Sequence, residues 1–109
     1  KAPSIVEHTV YLEVMKWHTL NSNVRAVLDL KRDMEEKNVY HHPRVYPTLF
    51  RALDRYYPKL TEQYYREMRT RVPVLDGIMY AAALRAFYDL RRFDMVNELY
   101  TEMRTRAEA

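Results

Sequence analysis

Cysteine is absent from this chain and glycine occurs once. Without thiols, neither a disulfide framework nor a thiolate zinc site is available. Proline is held to five residues, and no apolar run approaches the length needed to span a bilayer. No secretory signal is visible either, and the chain opens at Lys1 rather than at an initiator methionine. That opening leads us to expect a fragment or a processed product, from which any targeting segment would be lost. Long polar runs are also missing. With 48% apolar and 30% charged residues, the composition suits an all-α fold.

What the chain does have is an internal repeat. Glu67-Met68-Arg69-Thr70-Arg71 recurs 35 positions later as Glu102-Met103-Arg104-Thr105-Arg106, and a looser copy, Asp33-Met34-Glu35, stands 34 positions earlier. A second anchor keeps the same period. Tyr11, Tyr46 and Tyr80 are 35 and 34 residues apart and precede Met34, Met68 and Met103 by 23, 22 and 23. A fixed period in this range is the mark of a solenoid, in which each unit buries its apolar face only against its neighbours. The chain divides into a lead-in at 1–7 and units at 8–42, 43–76 and 77–109, the third incomplete. Together they form one repeat domain, and the array is expected to continue beyond it.

Each unit reads as a helix-turn-helix. The breakers fall between elements: Pro43 ahead of a helix, Pro47 in a first turn, Pro58 at the start of a second helix, Pro73 and Asp76-Gly77 in a connection. Proline costs nothing in a first turn, where its missing N–H had no intrahelical partner, and glycine supplies turn geometry. The first helix, A, is expected near Tyr11 to Leu20, Tyr46 to Tyr56 and Tyr80 to Leu90. Apolar residues three, four and seven positions past the tyrosine mark its inner stripe. These are Val14, Met15 and His18, then Leu49, Phe50 and Leu53, then Ala83, Leu84 and Phe87. His18 reads as a partly buried, hydrogen-bonded packing residue. The second helix, B, is expected to end at the methionine. Its inner face carries Val27 and Leu30, then Tyr64 and Tyr65, then Val96, Leu99 and Tyr100, and its remaining residues read as solvated surface.

Catalysis finds little footing. His41-His42 is the one histidine cluster, with His8 and His18 far from it along the chain, and it reads as a polar loop between repeats rather than a metal site. Glu35-Glu36 and Glu98 with Glu102 read as helix surface, and no Ser, His and Asp set presents itself. We expect no enzyme activity, no catalytic residue, no metal and no cofactor.

The spacing from an early tyrosine to a late Glu-Met, in Tyr46 through Glu67-Met68 and Tyr80 through Glu102-Met103, resembles the pentatricopeptide repeat family over nearly the whole chain. The tetratricopeptide pattern, a Trp-x-x-Leu-Gly-x-x-Tyr start and an Ala-x-x-x-Phe second helix, is absent. The resemblance implies a right-handed superhelix whose A helices line a groove, in proteins that mostly act on RNA in mitochondria or chloroplasts. It implies base contacts from the residue after the tyrosine and the last residue of the unit. Those positions hold Leu12 with His42, Pro47 with Asp76, and Ala81 with a partner past the end of the chain. The family typically has Asn, Ser or Thr after the tyrosine. Leu, Pro and Ala offer neither donor nor acceptor, so base reading is degenerate here.

Four residues further along each A helix, on the same face, stand Lys16, Arg51 and Arg85. Stacked units would align them into a ladder facing a phosphate backbone. The neighbouring groove positions are mixed: Thr19, Asp54 and Tyr88, then Leu20, Arg55 and Asp89, of which Arg55 and Tyr88 join the candidate RNA contacts. A net charge of +3 is compatible with RNA. Three phosphate contacts would give only weak, salt-sensitive binding. Arg69, Arg71, Arg104 and Arg106 suit the negative end of helix B. The ten tyrosines can serve as stacking platforms, core or interface anchors; Tyr64 and Tyr65 are expected in the core. Two functions follow as expectations. One is an RNA-binding module of an organellar, mitochondrial RNA-metabolism protein that contacts the backbone of single-stranded RNA. The other is a protein-interaction scaffold gripping subunits of a mitochondrial ribosome or RNA-processing assembly. Neither involves a membrane.

Overall fold

The computed structural model describes residues 5–108, with side chains described over 7–107. Six helices and no strand occur among them: α1 (Ile5–Leu20), α2 (Val24–Glu36), α3 (Val45–Leu53), α4 (Pro58–Arg71), α5 (Gly77–Asp89) and α6 (Phe93–Glu108). The chain is all-α. They pair as three hairpins, α1 with α2, α3 with α4 and α5 with α6, and the first helices pack in succession, α1 on α3 and α3 on α5. The second helices do not pack closely on one another. Long side chains bridge them instead, so the row is tighter along its first helices than along its second.

With one glycine available, the chain ends its helices on other residues. Ser22, Asn38, Asp54 and Arg91 each adopt a left-handed φ between 52° and 58°, the conformation that usually falls to glycine. Gly77 was expected to supply such a turn. It sits instead in the first turn of α5 with no positive φ, behind the cap Asp76, whose side chain accepts from the Met79 N–H. Asn23 caps α2 in the same way through the Ala26 N–H.

Helix boundaries differ from the sequence expectation for local reasons. α1 begins at Ile5, inside the expected lead-in, and α5 begins at Gly77, because the first helices extend ahead of their tyrosines. α3 stops at Leu53 rather than Tyr56. Asp54 turns left-handed there, and Pro58 denies Tyr57 the helical region. α2, α4 and α6 all run past their methionines.

The core is built from the repeated stripes. Met15, Leu49, Leu53, Ala83 and Phe87 are buried from the A helices, and Val27, Met34, Met68 and Leu99 from the B helices. Each large apolar side chain fully removed from water contributes about 1.5–3 kcal/mol. Tyr64 and Tyr65 pack half-buried against this core. Two expected inner residues are exposed: Val14, at the outer edge of the first hairpin, and Tyr100, at the outer edge of the last. No helix of the described residues is long and apolar enough to cross a membrane.

Candidate nucleic-acid interface

The two sequence anchors turn out to be bonded to each other. Each repeat tyrosine of a first helix donates its hydroxyl to the acid that precedes the methionine in the second helix: Tyr11 to Asp33, Tyr46 to Glu67 at 2.7 Å, and Tyr80 to Glu102. The 21 or 22 residues between each bonded pair are therefore the span of one hairpin closing on itself. Burial, followed by the Glu67 carboxylate, pushes the Tyr46 phenol well above its usual range.

The same acids tie one hairpin to the next. Lys31 of α2 reaches Glu67 of α4 at 3.0 Å, and Arg69 of α4 grips Glu102 of α6 with two bonds of 2.8 and 3.0 Å. Lys31 was expected among solvated residues, yet it is 2% exposed, lies 5.3 Å above the Tyr64 ring and also pairs with Glu35. Its place three residues before Met34, where the later repeats carry Tyr65 and Tyr100, is the signal that could have revealed it. Arg69 likewise does more than face the helix dipole, and Arg106 donates to the Leu75 carbonyl and the Tyr80 hydroxyl. Glu102, expected as plain helix surface, is a shared acceptor in this network.

Beside Lys31, Glu35, His41 and Glu67 bring one ligand atom each within 4.8 Å of one another. His41 Nε2 is buried without a hydrogen-bond partner among the described residues, 3.9 Å from Glu35. Burial, followed by Lys31 and Arg71, holds the His41 imidazole below its usual range. The cation that the two carboxylates require is Lys31 itself, so the cluster is a closed ionic knot between hairpins. His42 lies, as expected, in the loop between the first two hairpins. It stacks on His8, 5.7 Å between ring centres, although 34 residues separate them in the chain. Its Nδ1 accepts from the Arg44 N–H. His18 meets Trp17 edge-on at 4.8 Å, and its Nδ1 has no hydrogen-bond partner among the described residues.

On the first helices, Lys16, Arg51 and Arg85 are exposed and border two consecutive clefts. One, of about 280 Å³ between α1 and α3, is lined by Lys16, Thr19, Leu20, Pro47, Thr48 and Arg51. The next, of about 510 Å³ between α3 and α5, has Arg51 and Arg85 on its rim with Asp54 and Asp89. Lys16 pairs with Glu13 at 3.3 Å and Arg85 with Asp89 at 3.9 Å, both loosely and in solvent. Arg51 makes no ion pair among the described residues.

The expected base-reading positions are scattered. Leu12 is buried in the core, His42 is engaged by His8 and Arg44, and Asp76 caps α5 while pairing with Arg44 at 2.9 Å. The Arg44 guanidinium, followed by the Met79 N–H, holds the Asp76 carboxyl below its usual range. Pro47 lines both clefts, whereas Ala81 is exposed and lines neither, the second cleft taking Ala82 from α5 instead. Arg55 lies over the Tyr56 ring at 5.3 Å, and exposed Tyr88 meets Phe93 edge-on at 5.9 Å where α5 turns into α6. Comparison with protein-family models, with curated proteins and with solved structures finds no match to this chain.

Proposed function

We propose that this chain is a helical-repeat module of the pentatricopeptide kind that holds single-stranded RNA by its phosphate backbone along α1, α3 and α5. The observation that carries this reading is the placement of Lys16, Arg51 and Arg85, one per first helix, on the rims of two adjoining clefts, with Arg51 shared between them. Cations in a row attract a polyanion whatever its sequence. The positions that the family resemblance assigns to base reading offer little to read one with, since Leu12 is buried and Pro47 and Ala81 have no side-chain polar atom. An organellar, mitochondrial setting in RNA processing, editing, stability or translation follows from the family resemblance alone.

The test is fluorescence anisotropy with single-stranded RNA across a salt series. The comparison is with Lys16→Glu, Arg51→Glu and Arg85→Glu combined, all on exposed positions. Wild-type binding should weaken with salt at a log–log slope of roughly 2, as about three neutralised phosphates require. The triple reversal should abolish it. Equal binding by both proteins, or none by either at low salt, would remove the reading and leave the scaffold alternative. That alternative draws support from the exposed aromatic residues Trp17, Tyr57 and Tyr88, anchors of the type that protein interfaces use.

A further inference from the structure

The three first helices are equivalent by register, but the two ends of the row are not covered as its middle is. Counted from the repeat tyrosine, the positions one before, three after and six after are Val45, Leu49 and Ala52 in α3 and Met79, Ala83 and Ala86 in α5. All are buried or half-buried. In α1 the same positions hold Val10, Val14 and Trp17, which are 55%, 37% and 60% exposed. α3 and α5 each have a first helix packed ahead of them; α1, among the described residues, does not. The opposite edge repeats the pattern in reverse. Leu12 and Met15 of α1 are buried under α3, whereas their counterparts in α5, Ala81 and Leu84, are exposed and half-buried, with Tyr88 one turn on at 62%. One open edge is thus shaped like the contact that the other lacks.

The links to the acids before the methionines have the same direction, although Arg92 of the last hairpin also pairs backwards with Glu62 at 3.6 Å. In both internal joints the cation comes from the upstream hairpin and the acid, placed before the methionine, from the downstream one: Lys31 to Glu67 and Arg69 to Glu102. The downstream end of the row carries Arg104 stacked on Tyr100 at 6.0 Å, as Arg69 stacks on Tyr65 at 6.0 Å. The upstream end carries Asp33 in the position of Glu67 and Glu102. We propose that the Val10, Val14 and Trp17 face of one copy of this chain docks on the Ala81, Leu84 and Tyr88 edge of a second copy, head to tail. The contact has the geometry of the α1–α3 and α3–α5 joints and sets Arg104 opposite Asp33. Such a contact is heterologous, so each added copy presents a fresh face and copies add one after another, as a row or a closed ring. It does not depend on RNA binding.

Trp17 is the chain's one tryptophan, so its emission reports this face directly. The experiment follows the 109-residue chain by sedimentation velocity and tryptophan emission over a concentration series, together with Trp17→Glu, Tyr88→Glu and their equimolar mixture. Circular dichroism checks that each variant is folded; Val10→Glu and Ala81→Glu serve as a second pair. Wild type should sediment faster as concentration rises, with a blue shift of the Trp17 emission. Each variant alone should stay monomeric, because every copy then lacks one of the two faces. The mixture should form a one-to-one dimer that restores the blue shift, since one blocked copy still offers its tail and the other its head. A wild type that stays monomeric throughout overturns the proposal. So does association by Tyr88→Glu alone, which would mean a symmetric contact of two α1 faces, or a mixture that fails to dimerise.

Discussion

Two residues show how closely side-chain chemistry tracks the repeat. Thr61 occupies the register that Val27 holds in α2 and Val96 in α6; it is 0% exposed, and its hydroxyl has no hydrogen-bond partner among the described residues. Burying a hydroxyl unpaired costs on the order of 1–3 kcal/mol, which an isosteric apolar side chain avoids. Thr61→Val should therefore stabilise the protein by about 1 kcal/mol, read as a higher urea midpoint at unchanged slope. A lower midpoint would mean that the hydroxyl is satisfied after all. His41 supplies a pH dependence. Its imidazole is neutral in the fold because burial, then Lys31 and Arg71, oppose the charge, while Glu35 and Glu67 face it from the other side. The unfolded chain takes up that proton below a pH of about 6.5, and the folded one only further down. Stability should thus fall as pH drops from about 6.5 to the depressed folded value, then level off from this source. Glu35, held low by the hydrogen bond from Lys31, gives a second loss beginning as pH falls below about 4.5. Thermal melts of His41→Gln should lose the upper decline and keep the lower one. An unchanged upper decline would assign it elsewhere, with His42, also lowered by burial, the next to test.

At the level of elements, single residues at helix junctions do two things at once. Asp76 caps α5 through the Met79 N–H and pairs with Arg44 from the hairpin before, so it fixes both where a helix starts and how two hairpins meet. Asp76→Asn keeps the capping oxygen and removes the charge; Asp76→Ala removes both. The cap is worth about 1 kcal/mol and an exposed ion pair only a fraction of that. Asparagine should accordingly cost little and alanine most of the total in denaturant unfolding. Equal losses for the two would mean that the ion pair, and not the cap, carries the effect. Helix existence was legible in the sequence, because apolar residues three, four and seven past each tyrosine can form one stripe only on a helix. Helix ends were less so. Ser22 and Arg91 take a left-handed turn that their residue types seldom choose, whereas Asn38 and Asp54 take one that theirs accept more readily. After Ser22, Asn38 and Arg91 the turn is closed locally, the next N–H donating to the carbonyl five residues back: Asn23 to His18, Val39 to Met34 and Arg92 to Phe87.

Across the whole molecule, stability is shared between neighbouring hairpins. The middle hairpin is covered on both sides, through α1 and α2 ahead of it and α5 behind, whereas the first and last hairpins each have one neighbour among the described residues. In a quasi-one-dimensional array, a unit with two neighbours opens last. Hydrogen exchange at low protein concentration, where copies are separate, should show the strongest protection in α3. It should decline towards α2 and α6. Uniform protection would indicate that the three hairpins unfold as one cooperative block.

The sequence by itself determined the all-α class, the three tyrosine-to-methionine periods and most of the buried stripe. These depend on residue type at fixed spacing along one chain, and helical geometry converts spacing directly into a face. It also singled out Lys16, Arg51 and Arg85 as a row, though not the two clefts they border. Only the tertiary structure decided which polar residues meet. That Tyr46 bonds Glu67, that Lys31 is buried against the same carboxylate, and that His8 stacks on His42 depends on how hairpins are set against each other. No local pattern encodes that distance. Burial was decided there too: Leu12 and Val14 are two residues apart and both apolar, yet one is covered by a neighbouring helix and the other stands at the open edge of the row. A side chain's exposure depends on what packs against it, and that partner belongs to another part of the chain.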